Sequence, residues 1–139
     1  RGGFSHTMGF VFTAASPERV VGELEAGPAL WQPFGLVHGG VYCAMVETLA
    51  SVGAAISAMP RGQSVVGLEN ATSFVRAHRE GKLIGVATPL TRGRKTQVWR
   101  VEIRNEEGKL VAEGKVRVLC LEAGSEVAGK KVTAQRTEG

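Results

Sequence analysis

From Gly40 to Met59 the chain runs through small and apolar residues almost without interruption, and this run carries one formal charge, Glu47. Tyr42, Thr48 and Ser51 are its other notable polar positions, and Pro60-Arg61-Gly62 closes it. A helix that is apolar on nearly every face belongs inside something. The stretch from Gly39 is long enough to cross a bilayer, but Glu47, the small residues and the hydroxyls argue against a span, and no second such run exists. The helix is therefore expected to be the core of a domain, and the rest of the chain must cover it.

The cover is legible as strands. After the helix the pattern switches from helical to alternating, and Ser64 to Arg76, Lys82 to Thr91, Thr96 to Arg104 and Lys109 to Leu121 read as strands. Trp99, Val101 and Ile103 alternate with Arg100, Glu102 and Arg104, while Leu110, Ala112, Gly114, Val116, Val118 and Cys120 share one parity. Asn105-Glu106-Glu107-Gly108 is a hairpin turn, and Arg92-Gly93-Arg94-Lys95 joins the preceding pair. The second half therefore reads as an antiparallel meander. Two shorter strands, around Phe10 to Thr13 and Arg19 to Glu25, precede the helix, and an aromatic-rich loop from Leu30 to Val37 leads into it.

The expected class is α+β, with an antiparallel sheet wrapped around one long central helix. At 139 residues and 43% hydrophobic content the chain makes one domain, spanning 10–121, with residues 1–9 and 122–139 read as flexible termini. Such a sheet has exposed edges, and pairing two sheets edge to edge removes that liability, so a homodimer is expected.

Cys43 and Cys120 lie far apart in apolar stretches, which argues against a disulfide scaffold or a zinc site and favours a reducing compartment. No cleavable signal sequence is legible, and the expected location is cytoplasmic. The net charge of +4 suits nucleic acid, an acidic surface or a phosphate-bearing ligand. Aromatic residues are scarce and not interleaved with the basic ones, which speaks against a nucleic-acid surface.

A carboxylate inside an apolar helix is expensive unless it is hydrogen-bonded, neutral or put to use. Glu47 therefore needs an explanation, and two neighbours offer one. His38-Gly39-Gly40 stands at the helix N-terminus, where free backbone N–H groups and the positive end of the helix dipole meet whatever lies beyond. Glycine there admits a ligand close to the backbone, and such an amide can hold the oxyanion formed during acyl transfer. Ser51, four residues after Glu47, shares its face and can position a water or a substrate atom beside the carboxylate. Gly39 and His38 precede Glu47 by eight and nine residues, which is roughly 12 to 13 Å along a helix. If these groups act together, one subunit must supply the amide and another the carboxylate.

Gly35-Leu36-Val37-His38-Gly39-Gly40-Val41-Tyr42-Cys43-Ala44 followed by Glu47 resembles the signature of the hotdog-fold thioesterases, specifically the phenylacetate-pathway and 4-hydroxybenzoyl-CoA thioesterase group. The likeness continues through Asn70-Ala71-Thr72-Ser73-Phe74 and the hairpin at Gly93, and covers most of Phe10 to Leu121. The resemblance implies hydrolysis of an acyl-CoA thioester, with Glu47 as nucleophile or general base and the Gly39 N–H polarising the carbonyl. It also implies that Gln32 and His38 organise the acyl end, with Ser51 standing where the hydroxybenzoyl branch has Thr. Glu47 places the chain with the Glu branch rather than the branches that use Asp. Coenzyme A would be part of the substrate, with no separate cofactor and no metal. Its phosphates would use basic turns, either Arg76, His78, Arg79 and Lys82 or the favoured set Arg92, Arg94 and Lys95. Dimers of this family commonly pair again into tetramers. The alternatives are an acyl-CoA-binding sensor without turnover and a dehydratase on the same fold.

Overall fold

The computed structural model describes residues 3–131. A helical turn α1 (Phe4–Thr7) leads to strands β1 (Val11–Ala15) and β2 (Val20–Ala26), and then to the long helix α2 (Gly39–Ala58). Strands β3 (Ser64–Phe74), β4 (Gly81–Arg92), β5 (Thr96–Asn105) and β6 (Leu110–Leu121) follow, with a small hairpin of β7 (Glu126–Val127) and β8 (Lys130–Lys131) at the end. The first six strands form one antiparallel sheet in the order β1-β2-β4-β5-β6-β3.

This is the hotdog architecture, with the sheet wrapped around α2. The helix buries Val41, Tyr42, Met45, Val46, Leu49, Ala50, Gly53, Ala54 and Ala58. The sheet answers with Leu24, Leu83, Ala87, Trp99, Val101, Ile103, Val116 and Val118. Alternation in β5 works as its residue pattern requires, with Trp99, Val101 and Ile103 inward and Arg100 and Arg104 outward. Glycine sets the approach of helix and sheet: a Cβ at Gly53 would meet the Trp99 ring at 2.5 Å, so the indole fills the notch that this glycine leaves. Trp99 donates its Nε1–H to Gln97 Oε1 at 2.8 Å, and the fully buried Gln97 in turn donates to Ala54 O at 3.1 Å. The polar atoms of this aromatic anchor are thus satisfied inside the core.

The topology corrects the expected meander. Strands β4, β5 and β6 do form one, but β3 pairs with β6 at the far edge and β2 takes the remaining side of β4. Alternation along a strand assigns its faces and says nothing about its neighbour. The connection has no tight-turn signal: Val75 to Glu80 must pass three strand positions, roughly 14 Å, and six extended residues reach about 20 Å.

The termini also differ from the flexible segments expected. Residues 4–7 form a helical turn, and Met8 and Phe10 behind it are buried. Met8 belongs to the apolar core and Ser5 Oγ hydrogen-bonds Thr48 Oγ1 at 3.2 Å, so the turn is anchored to α2. Residues 126–131 pair as a solvent-exposed hairpin; the remainder of the tail, 132–139, lies outside the described residues.

Candidate active site

The N-terminus of α2 is capped by a histidine. His38 is extended (φ −62°, ψ 133°), and its Nδ1 accepts the Gly40 N–H at 2.8 Å, taking the part usually played by Ser or Asp. The Val41 N–H goes to His38 O, and His38's own N–H to Leu30 O. These bonds satisfy the donors on either side of Gly39, whose N–H has no acceptor among the described residues. One amide of the first turn is therefore left available to a ligand, at the positive end of the helix dipole.

Gly39 belongs to the wall of a cleft of about 260 Å³ that also includes Gln32, Tyr42, Phe74, Arg76 and His78. The Phe74 ring lies against Gly39 so closely that a Cβ there would meet it at 2.6 Å, which makes glycine the residue that fits. Tyr42, one turn further along, packs on Phe74 with ring centroids 5.8 Å apart. Burial pushes its phenol up to about 12, so it stays protonated as a neutral donor.

The loop before the helix is tied down by backbone bonds. Gln32 N–H donates to Leu36 O at 2.7 Å, Gly35 N–H to Gln32 O at 3.0 Å, and Val37 N–H to His78 O at 2.9 Å. Trp31 Nε1–H donates to Arg79 O at 2.6 Å, and the Arg79 guanidinium to Gly35 O at 3.0 Å. Gln32, which lines the cleft, spends its Oε1 on the Phe34 N–H, and its Nε2 has no hydrogen-bond partner among the described residues.

Glu47 is half-buried in the single chain, not enclosed, and it is held in place. Its Oε1 accepts from Asn70 Nδ2 at 3.2 Å and its Oε2 from Ser51 Oγ at 3.3 Å. Asn70 is itself oriented, donating to Cys43 O at 3.0 Å and accepting from Thr72 Oγ1 at 2.6 Å. A Cβ at Gly67 would come within 2.8 Å of Glu47 Oε2, so the bare backbone of β3 leaves room for the carboxylate. Asn70, Thr72 and Gly67 are supporting residues whose roles sequence reasoning did not assign. Asn70 and Thr72 share the parity of β3 that faces α2, and that alternation was the available signal.

Of the residues singled out from the sequence, the structure brings Gln32 and Gly39 together in the cleft and Glu47 and Ser51 together on the helix face. It does not bring the two pairs together: neither Glu47 nor Ser51 belongs to the cleft wall. His38 is the N-cap of the helix and is exposed. Arg92, Arg94 and Lys95 lie at the other end of α2, where Arg61 donates to Arg92 O at 3.2 Å and Gly93 O at 3.1 Å. That is roughly 30 Å from Gly39 along a helix of this length. Arg94 pairs with Glu122 at 2.9 Å, and Arg92 lies 3.9 Å from Glu18. The basic residues at the Gly39 end are Arg76 and His78, which continue with Arg79 and Lys109 into an adjoining polar hollow. Lys82 is paired with Glu23 at 3.4 Å.

A six-stranded antiparallel sheet wrapped around one long helix defines the hotdog fold. Residues 34–112 match the thioesterase superfamily model. Over 122 residues, 86% of this chain and 87% of the relative, the sequence is 43% identical to a Mycobacterium tuberculosis protein provisionally named an esterase. The solved structure of that protein superposes with a TM-score of 0.84 at 44% identity, covering 86% of this chain and 96% of that one. The sequence is also 41% identical over 90 residues, 65% of each chain, to the 1,4-dihydroxy-2-naphthoyl-CoA hydrolase of Escherichia coli. A Haemophilus influenzae thioesterase structure matches with a TM-score of 0.80 and 31% identity, covering 85% of this chain and 82% of that one. The chain belongs to the thioesterase superfamily and is a thioester hydrolase.

Proposed function

We propose that the thioester is an acyl-CoA and that it is cleaved at a composite site between two copies of the chain. The observation that carries this reading is the separation of the two halves: Gly39, whose N–H has no acceptor among the described residues, lines a cleft whose wall does not include Glu47. The half-buried side of α2 carries Cys43, Ala44, Glu47, Thr48, Ser51 and Val52, a small-residue surface suited to a second helix. Edge strand β3 exposes Leu68 and Phe74, and Val75 follows them, which suits pairing with its own copy. Antiparallel packing of two such helices carries the carboxylate of one protomer toward the Gly39 amide of the other.

In that site the thioester carbonyl accepts the Gly39 N–H, and the charge that develops on its oxygen is stabilised by this amide and the helix dipole. Glu47 either attacks the carbonyl carbon to give an acyl-enzyme anhydride, later hydrolysed, or takes a proton from an attacking water. The C–S bond breaks, the thiolate of coenzyme A takes up a proton, and the free acid leaves. Gln32 Nε2 and the His38 ring orient the acyl end. Arg76 is the donor best placed for phosphate groups, since Arg79 is spent on Gly35 O and His78 Nε2 meets Gly81 O, and it is preferred to Arg92, Arg94 and Lys95. The naphthoyl-CoA hydrolase relative supports a coenzyme A thioester, and the free thiols of Cys43 and Cys120 suit a reducing cytoplasm.

Subunit complementation tests the composite site. Gln32→Ala and Glu47→Gln proteins, each weakly active alone, are unfolded together and refolded as a mixture. Half of the dimers are then mixed and each holds one intact site, so thiol release should recover to about a quarter of the wild-type rate. No recovery, with mixed dimers shown to form, would place both groups in one subunit and overturn the proposal.

A further inference from the structure

Tyr42 carries the one hydroxyl of the first two turns of α2, and it lines the same cleft as Gly39. The residue is 3% exposed, yet its hydroxyl has no hydrogen-bond partner among the described residues. A buried tyrosine ordinarily finds one, because a hydroxyl taken from water without a partner is costly. A phenylalanine would fill the same space without that cost. Among the described residues the one side-chain polar atom that is both enclosed and unpartnered is Gln63 Oε1. The Tyr42 hydroxyl is therefore not sealed in the core: it opens on accessible space, and the cleft is the space that the residue lines.

Tyr42 follows Gly39 by three residues, roughly 4.5 Å of helix rise, so the two share a face. Helical side chains lean toward the N-terminus, which carries the phenol back over the turn that holds Gly39. Phe74 braces it there, since its ring packs on Tyr42 with centroids 5.8 Å apart and also lies against Gly39. His38 takes the N–H groups of Gly40 and Val41, so Gly39 offers a single amide. An oxygen that gains negative charge in the transition state has room for more than one donor. We propose that the Tyr42 hydroxyl is the second donor to the thioester carbonyl oxygen, joining the Gly39 N–H of the same protomer as charge develops there. The assignment rests on the acyl-CoA reading above. Gln32 also lines the cleft, but it is half-buried on a loop, where water meets its amide before a substrate does. The phenol is desolvated and braced in advance, the condition under which a donor acts mainly on the transition state. Its part is that of a neutral donor and not of an acid. The nucleophile bonds to the carbonyl carbon, the C=O electrons move onto the oxygen, and their return breaks the C–S bond and expels the thiolate. The proton stays on Tyr42 throughout, as suits a phenol that burial pushes up to about 12.

The chain has one tyrosine, so expression in a tyrosine auxotroph fed difluorotyrosine alters this hydroxyl alone. Thiol release from benzoyl-CoA and octanoyl-CoA is measured for the wild-type, Tyr42→Phe and difluorotyrosine proteins. Tyr42→Phe keeps the ring that packs on Phe74, and its kcat should fall about ten- to a hundred-fold with KM within about two-fold. Fluorine makes the phenol more acidic, and a phenolate cannot donate. In the difluorotyrosine protein kcat/KM should therefore fall as pH rises, with the midpoint at which the phenolate absorbance of residue 42 appears. Arg76 and His78 line the same cleft and Glu47 acts in the site; a proton lost from any of them would act in Tyr42→Phe as well, which should lack this limb. The difluorotyrosine protein keeps both hydroxyl and packing, so it decides the question even if Tyr42→Phe folds poorly. A loss of less than about three-fold in Tyr42→Phe, a raised KM with kcat unchanged, or an alkaline limb that does not follow the absorbance would overturn the proposal. No thiol release from wild-type protein with either thioester would defeat the acyl-CoA reading and the proposal together, whereas wild-type turnover matched by Tyr42→Phe defeats the proposal alone.

Discussion

The two ends of α2 treat their backbone groups in opposite ways. At the C-terminal end the helix passes into a short turn and Gly62 takes a left-handed conformation (φ 69°), so that Gln63 N–H reaches Ala58 O at 3.2 Å and Gly62 N–H reaches Met59 O at 2.9 Å. Arg61 and Gln63 then tie this end to the 92–95 hairpin, Gln63 through Arg94 O at 2.8 Å. At the N-terminal end the His38 cap satisfies the neighbouring donor and leaves Gly39 without an acceptor among the described residues. Basic residues occur at both ends. At the C-terminal end they close the structure, and at the N-terminal end Arg76 and His78 face a cleft. A positive turn is therefore weak evidence of a ligand site until its partners are known.

The largest effect should fall on Glu47, the carboxylate proposed to act with the N-terminal end. Glu47→Gln keeps the shape, with its amide oxygen accepting from Asn70 and its Nε2–H donating to Ser51 Oγ, and kcat for acyl-CoA should fall by roughly a thousand-fold with the oligomeric state unchanged. A loss of less than about ten-fold, measured by thiol release, would remove Glu47 from the chemistry. The contrast between the ends is sharpened by arginine variants. Arg76→Ala should raise KM for acyl-CoA about ten-fold, while Arg92→Ala with Arg94→Ala should leave KM within about two-fold. The reverse order would return phosphate binding to the hairpin.

Smaller effects concern stability. Arg61→Ala removes two hydrogen bonds to the hairpin backbone and should cost about 1 kcal/mol, read as a lower urea midpoint with kcat unchanged. Tyr42 is the one tyrosine in the sequence, so its ionisation can be followed directly by ultraviolet absorbance. With its folded pKa raised to about 12, the native state keeps the proton that the unfolded state gives up near the ordinary value of 10.0. This contribution to stability is complete below pH 10 and is lost as pH rises toward about 12. A native phenolate midpoint near 10 would show that Tyr42 is not enclosed beneath Phe74.

Much of the fold was legible because its periods are strong. The apolar run from Gly40 to Met59 marks α2 to within a residue, and the alternation around Trp99 and Val116 marks β5 and β6. The edge position of β3 was not legible, because no local pattern records which strand pairs with which. Met8 was read as part of a flexible terminus because a short segment with scattered apolar residues has no period, yet it is buried in the core.

The candidate site divides in the same way. His38, Gly39, Glu47 and Ser51 were found from residue type and helical spacing, since a helix turns the distance along the chain into distance in space. The sequence by itself determined the chemistry available: a glycine amide at a helix start, one carboxylate in an apolar helix and a hydroxyl one turn beyond it. Only the tertiary structure decided which arginines are spent on carbonyls and carboxylates, which strand holds Asn70 against Glu47, and which single N–H of the first turn is left over. Those outcomes depend on contacts between residues far apart in the chain, where hydrogen-bond partners are chosen by packing and not by sequence neighbours.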